Sequence, residues 1–186
     1  DGLEFKAGAI VSTLPPWDLL KLDLPAPLRG DWQRLKPAPI ISISMWLDRP
    51  VMEEPLLGLL GTEVQRAFNK SKILSLKGGG QYLALVISGA HGQVSADPKE
   101  LLEIARRDLA RCVPLFQKAK INRWKVVKEP FATLSPVPGT DAMRSGAASA
   151  EPDFFFAGDW TQTGLPATIE SAVASAPRVA EMIAAG

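Results

Sequence analysis

Residues 154–173 read FFFAGDWTQTGLPATIESAV, and this stretch restricts the fold more than any other part of the chain. Phe154-Phe155-Phe156-Ala157 is too short and too apolar for an exposed element. It reads as a buried strand entered from the polar turn Glu151-Pro152-Asp153. Gly158 ends the strand, because a residue without Cβ lets another group approach the backbone closely. Asp159 then falls at the carboxyl end of the strand, where open α/β sheets bind ligands, and its carboxylate can accept hydrogen bonds from sugar hydroxyls. A polar loop from Trp160 through Gly164 to Leu165 follows. Pro166 suits the first turn of a helix whose apolar positions are Ile169, Ala172, Val173 and Ala176. The first N–H groups of that helix, around Ala167, Thr168 and Ile169, have no partner within it, and they offer a site to negative charge or to an electron-rich carbonyl. On spacing alone the same residues also suit an ordinary strand and helix, with Asp159 capping the loop.

The rest of the composition narrows the function classes. The 186 residues are 46% hydrophobic and 22% charged, enough for one sizeable core or two small ones. Lys and Arg number 21 against 20 for Asp and Glu, and they are scattered, so no basic stripe marks a nucleic-acid partner. Cys112 is the only cysteine and His91 the only histidine, which leaves no internal disulfide and no metal ligand set. No apolar run approaches the roughly 20 residues that a membrane-spanning helix needs. The chain opens at Asp1, mid-pattern, without signal-peptide character.

Read from the start, Asp1-Gly2 is a turn signal, and Leu3 and Phe5 alternate with Glu4 and Lys6 as in a half-buried strand. Ala9-Ile10-Val11 reads as a strand buried on both faces, stopped by Pro15-Pro16, with one helical turn over residues 17–22. Residues 23–39, which hold Pro25, Pro27, Pro37 and Pro39, form a connection into another lobe. Ile41, Ile43, Met45 and Leu47 alternate with Ser42, Ser44 and Trp46, an antiparallel strand with unequal faces. Strands are also expected at 64–68, at 81–88 after Gly78-Gly79-Gly80, and at 121–127. Asp97, Pro98 and Glu100 begin the clearest helix, with an apolar stripe of Leu101, Ile104, Ala105 and Leu109. The middle of the chain is therefore α+β.

The closing stretch resembles the C-terminal flavin motif of the flavin-containing amine oxidoreductase superfamily, in particular its squalene-associated branch, the hydroxysqualene dehydroxylases, which are related to phytoene desaturases. In that family an apolar strand leads into Ala-Gly-Asp, a Thr-containing loop, Gly-Leu-Pro-Ala-Thr and a helix. AGAIVSTLPPW resembles the family's exit from the FAD domain, and ISISMWLDRPVM, LALVISGAHG and VVKEPFATLSPVPG resemble that branch's substrate-domain segments. The resemblance implies that Gly158, Asp159, Trp160, Gly164, Leu165, Pro166, Ala167, Thr168 and Ile169 contact FAD. Asp159 would meet the ribityl chain or a nearby phosphate, and the helix end would meet the pyrimidine edge of the flavin.

The expected fold is then α/β plus α+β, the C-terminal part of a two-domain FAD-dependent oxidoreductase. Residues 1–20 and 150–186 belong to a partial FAD-binding domain and residues 21–149 to a substrate-binding domain. By resemblance, the reaction is reductive dehydroxylation of hydroxysqualene to squalene. The partners implied are FAD and a hydrophobic isoprenoid, and the location is the cytoplasm, with a peripheral contact at the inner membrane. Carotenoid desaturation and amine oxidation keep the flavin and change the substrate; a non-catalytic lipid-binding module is an alternative of another class. Three departures from the family pattern stand out. Ser175-Ala176-Pro177 replaces the usual Ser-Gly and should kink or restart the last helix. Arg66-Ala67-Phe68 stands where an aromatic-rich strand is expected. No strand leads into Gly-x-Gly-x-x-Gly, so the chain reads as the C-terminal portion of a longer protein and by itself should hold FAD weakly or not at all. Among the remaining residues, His91 reads as a loop residue, Cys112 as core filling, Trp46 and Trp124 as core or as lining for a polyene, and Arg144 as a solvated loop arginine.

Overall fold

The computed structural model describes residues 2–185. Asp1, and with it half of the expected Asp1-Gly2 turn, lies outside the described residues. In chain order the elements are β1 (Ile10–Ser12), α1 (Pro16–Leu19), β2 (Pro37–Leu47), β3 (Leu56–Gly58), β4 (Arg66–Asn69), α2 (Lys70–Ile73), β5 (Gln81–Ser88), α3 (Pro98–Cys112), β6 (Ile121–Leu134), α4 (Thr140–Met143), β7 (Phe154–Phe156) and α5 (Ile169–Ala185). They form two compact units: residues 38–132 in one, and residues 1–37 with 133–186 in the other.

The contiguous unit is built on a five-stranded sheet in the order β3-β4-β5-β2-β6. β2 and β5 pair antiparallel, with Ile43 opposite Leu85 and Trp46 opposite Tyr82. The period of two then sorts the side chains. Ile41, Ile43, Met45, Leu83, Leu85 and Ile87 share a buried cluster with Leu101, Ala105 and Leu109 of α3. Asp97 caps α3 by accepting the Lys99 N–H at 2.8 Å, and Pro98 occupies the first turn. Apolar periodicity does not reveal Asp108, which is buried on the same helix and accepts the Val64 N–H at 2.9 Å, tying the approach to β4 to α3. On the other face of β2 and β5 the side chains are half-buried. There Trp46 stacks on Tyr82 with centroids 4.7 Å apart, and the Arg123 guanidinium lies 4.9 Å from the Trp46 ring. Trp124 and Cys112 pack against the main cluster, and His91 sits in an exposed turn.

In the discontinuous unit, β1 and β7 pair in parallel, with Ile10 opposite Phe154 and Ser12 opposite Phe156. Its core gathers Leu19, Trp32, Leu35, Leu134, Phe156 and Trp160. Trp32 and Trp160 both meet Phe156 edge-on, at 5.4 and 5.5 Å. These contacts draw the proline-rich connection and residues 133–149 into this unit, so the division falls at 37/38 and 132/133, whereas the sequence reading puts it at 20/21 and 149/150.

Four expectations need correction. The last helix begins at Ile169 and not at Pro166, and Ile169 and Val173 are exposed, because α5 packs through Ser171, Ser175 and Val179 instead. Residues 2–9 form no strand, and Leu3 and Phe5 are exposed, because no described strand lies alongside them. β1 forms as expected, but Ile10 and Val11 are exposed, since β7 is its one partner among the described residues. Pro177 does not end the last helix: α5 runs through it to Ala185. A proline at 177 removes the N–H that would have bonded the Val173 carbonyl, and Val173 lies on an exposed face where water can take that bond.

Leu85→Ala should destabilise the sheet unit by about 2–5 kcal/mol, because Leu85 is fully buried and the cavity cannot collapse between paired strands. Urea unfolding followed by circular dichroism measures this, and a loss under about 1 kcal/mol would show that the site repacks.

Candidate functional site

The candidate site forms where β7 runs out. Phe156 is the last strand residue, and the Ala157 N–H donates to the Ser12 carbonyl at 3.0 Å, which carries the parallel pairing one residue further. Gly158 then takes φ +138°, in the region that favours glycine, and a Cβ at this position would stand 3.1 Å from the Trp160 ring. Its N–H donates to Ser175 Oγ of α5 at 2.8 Å. Strand end and helix are thus joined behind the loop.

Asp159 is half-buried at the end of the strand. Thr133 Oγ1 lies 3.3 Å from Asp159 Oδ2 and 2.9 Å from the Ala167 carbonyl. A hydroxyl has one hydrogen to give, and the shorter contact is to the carbonyl, so the carboxylate keeps most of its acceptor capacity. At the helix end, the Ala172 N–H donates to the Thr168 carbonyl at 3.1 Å. The N–H groups of Ile169, Glu170 and Ser171 come before that bond and form the positive end of a 17-residue helix. Gly164, at φ +82°, turns the exposed loop toward the helix, and Leu165, Pro166, Thr168 and Ile169 are all exposed, with Ala167 half-buried. Trp160 differs: its indole is 1% exposed in the core, and Nε1 is buried without a partner. Its ring backs the loop from within.

The residue that sequence reasoning missed is Arg144. Expected to be solvated, it is buried, and its guanidinium serves the loop. Nε donates to the Trp160 carbonyl at 3.2 Å, and Nη1 to the Leu165 carbonyl at 2.7 Å and to Asp141 Oδ1 at 3.1 Å. Nη2 lies 2.8 Å from the Asp159 carbonyl, 2.5 Å from that of Thr161 and 3.2 Å from Ser171 Oγ. Arg178 of α5 takes the carbonyls of Gln162 and Thr163 at 3.0 and 2.8 Å. Nothing in the local pattern DAMRSG separates such an arginine from a surface one; the signal would have been six acceptors that exist only after the loop has folded. Among the described residues no group of His, Cys, Asp and Glu could hold a metal ion, and no helix is long and apolar enough to cross a membrane.

A carboxylate with spare acceptors at the end of a strand can accept hydrogen bonds from hydroxyls, and the first N–H groups of a helix can donate to an electron-rich edge. The family model for flavin containing amine oxidoreductases matches residues 1–184, and the chain belongs to that family. A hydroxysqualene dehydroxylase of Sinorhizobium fredii is 30% identical over 143 residues, 77% of this chain and 32% of the relative. A 15-cis-phytoene desaturase of Capsicum annuum is 28% identical over 98% of this chain and 34% of its own length. The chain thus spans about a third of the curated relatives it matches. Among solved structures, an oxidoreductase from Methanosarcina mazei superposes with a TM-score of 0.69 at 14% identity, covering 95% of this chain and 43% of that one. Reduced UDP-galactopyranose mutase gives 0.70 at 14% identity, covering 95% and 41%. These superpositions establish the fold. The cofactor of the family is FAD, and the residues fit it: Asp159 for a polyol, the open N–H groups of α5 for an anionic edge.

Gly158→Ala should lower the stability of the discontinuous unit by about 1–3 kcal/mol, through a strained backbone and contact with the Trp160 ring. Tryptophan fluorescence during thermal unfolding reads this directly, and an unchanged midpoint would mean that strand and loop can re-form around a Cβ.

Proposed function

We propose that these residues are part of an FAD-dependent oxidoreductase acting on an isoprenoid, and that its reaction is the reductive dehydroxylation of hydroxysqualene to squalene. What carries the reading is the placing of Asp159 and the open end of α5 on one loop, in a chain 30% identical to a hydroxysqualene dehydroxylase. In this reading the unit formed by residues 1–37 and 133–186 serves FAD, and residues 38–132 serve the substrate. Gly158 lets the strand end close to the cofactor, and Asp159 accepts hydrogen bonds from the ribityl hydroxyls. Gly164 and Leu165 shape the turn, Pro166, which has no N–H of its own, fixes the backbone leading into the helix, and Ala167, Thr168 and Ile169 present backbone N–H groups to the flavin edge. Trp160 holds the loop from behind.

Bound and reduced, FAD would supply a hydride to the carbon that loses its hydroxyl, while a proton, also available from the reduced cofactor or from water, would let that hydroxyl leave as water. The chain's own contribution is binding and electrostatics. The partial positive charge at the start of α5 favours the form of the cofactor that carries negative charge. In the substrate unit, the half-buried face bearing Ser42, Ser44, Trp46 and Tyr82 offers an aromatic surface to an apolar chain, with Ser44 Oγ and Tyr82 Oη 3.2 Å apart as its polar point. A substrate of this kind resides in lipid, which supports a peripheral contact with the membrane.

A second reading, desaturation of a phytoene-type carotenoid, is favoured by the match of the phytoene desaturase over 98% of this chain. Incubating the full-length flavoprotein with hydroxysqualene under reducing conditions, and with phytoene under oxidising ones, separates the two. Squalene formation is the expected result; turnover of phytoene alone would replace the first reading with the second. Asp159→Ala should weaken FAD binding by about ten- to a hundred-fold, as expected for losing hydrogen bonds to a charged group. Flavin fluorescence titration measures it, and an unchanged affinity would remove Asp159 from the cofactor contacts.

A further inference from the structure

We propose that Arg144 is a positioning residue for the flavin end of the molecule, and that its buried charge adds to the positive end of α5. The inference rests on the flavin reading above. A buried guanidinium is costly unless each donor is met. Here all five N–H donors are used, four of the acceptors are backbone carbonyls of the single loop 159–165, and the carboxylate in contact, Asp141, is itself 89% exposed. The remaining acceptor, Ser171 Oγ, belongs to the first turn of α5 and also donates to the Asp159 carbonyl at 3.0 Å.

Two consequences follow. The loop cannot shift without breaking several charge-assisted hydrogen bonds together, so the backbone of Asp159 and the entry to α5 are held in one arrangement before any ligand arrives. A positive charge whose one carboxylate partner faces water also remains poorly neutralised beside the open N–H groups of the helix, and reinforces them toward an anion. Lysine could supply the charge but not the fork, since its ammonium cannot reach acceptors spread around a plane.

The test uses the FAD-loaded full-length protein and two variants, Arg144→Gln and Arg144→Lys, with three readings: FAD affinity, flavin midpoint potential, and amide hydrogen exchange. Arg144→Gln should weaken FAD at least tenfold, lower the midpoint potential, and speed exchange across residues 158–172, while α3 and β5 exchange as in the wild type. Arg144→Lys should keep the potential close to wild type but still loosen the loop and weaken FAD. Wild-type affinity, potential and exchange in Arg144→Gln would overturn the proposal. If Arg144→Gln loses protection throughout residues 133–185, Arg144→Lys decides: weaker FAD on a folded unit supports positioning, and unchanged affinity on a loosened loop overturns it. If the wild-type protein holds no FAD, the flavin reading fails and the proposal fails with it. An unchanged affinity in the variants of a protein that does hold FAD removes the role of Arg144 alone.

Discussion

The parallel pairing of β1 with β7 is the constraint on which the rest of the discontinuous unit depends. It brings residues from near the two ends of the chain side by side and sets Phe156 in the core, so that Gly158 and Asp159 emerge at a defined point. From there the loop and α5 are held by groups that are not consecutive in sequence: Ser175 on the Gly158 N–H, Thr133 between Asp159 and Ala167, Arg144 and Arg178 on the loop carbonyls. Remove the strand pairing and neither the donor that Ser175 accepts from nor the acceptors of Thr133, Arg144 and Arg178 are in place. The site is therefore a property of the packed unit, although most of its residues lie in one short stretch.

The two units use aromatic side chains differently. In the discontinuous unit Trp32, Phe156 and Trp160 meet edge to face and share a small core with Leu19, Leu35 and Leu134. In the sheet unit the core is aliphatic, and Trp46 lies outside it, flat against Tyr82 and under Arg123. An aromatic pair left half-buried on a sheet face, with hydroxyls beside it, differs in kind from the sealed cluster of the other unit. That difference is why the two faces of β2 are read as serving stability on one side and recognition on the other.

What the sequence made legible follows from how local each determinant is. β5 appears at its expected residues because a glycine turn and strict alternation bound it, and α3 because Asp97 and Pro98 mark its start. The Gly158-Asp159 corner was readable for the same reason, whereas the last helix starts at Ile169, three residues beyond the Pro166 that was expected to lead it. Three other features were not readable. The exposure of Ile10 and Val11 depends on which strands lie alongside β1, which alternation cannot report. Continuity of α5 through Pro177 depends on whether water reaches a freed carbonyl. The burial of Arg144 depends on six acceptors, all but Asp141 contributed by residues distant in sequence, and a charge in a polar loop gives no hint of them.

The division of the chain also has a bearing on how it acquires its structure. The sheet unit is contiguous, residues 38–132, and its central pairing of β2 with β5 needs only residues within that span. The other unit cannot close until β7 and α5 have been made, because Ile10 waits for Phe154. Contacts between such distant positions form slowly, and until they do, Trp32 and Leu35 of the proline-rich connection, buried in the finished unit, stand open to solvent. The chain thus acquires its sheet core well before it acquires the corner that bears Asp159, and the interval between the two is when it is most prone to associate wrongly.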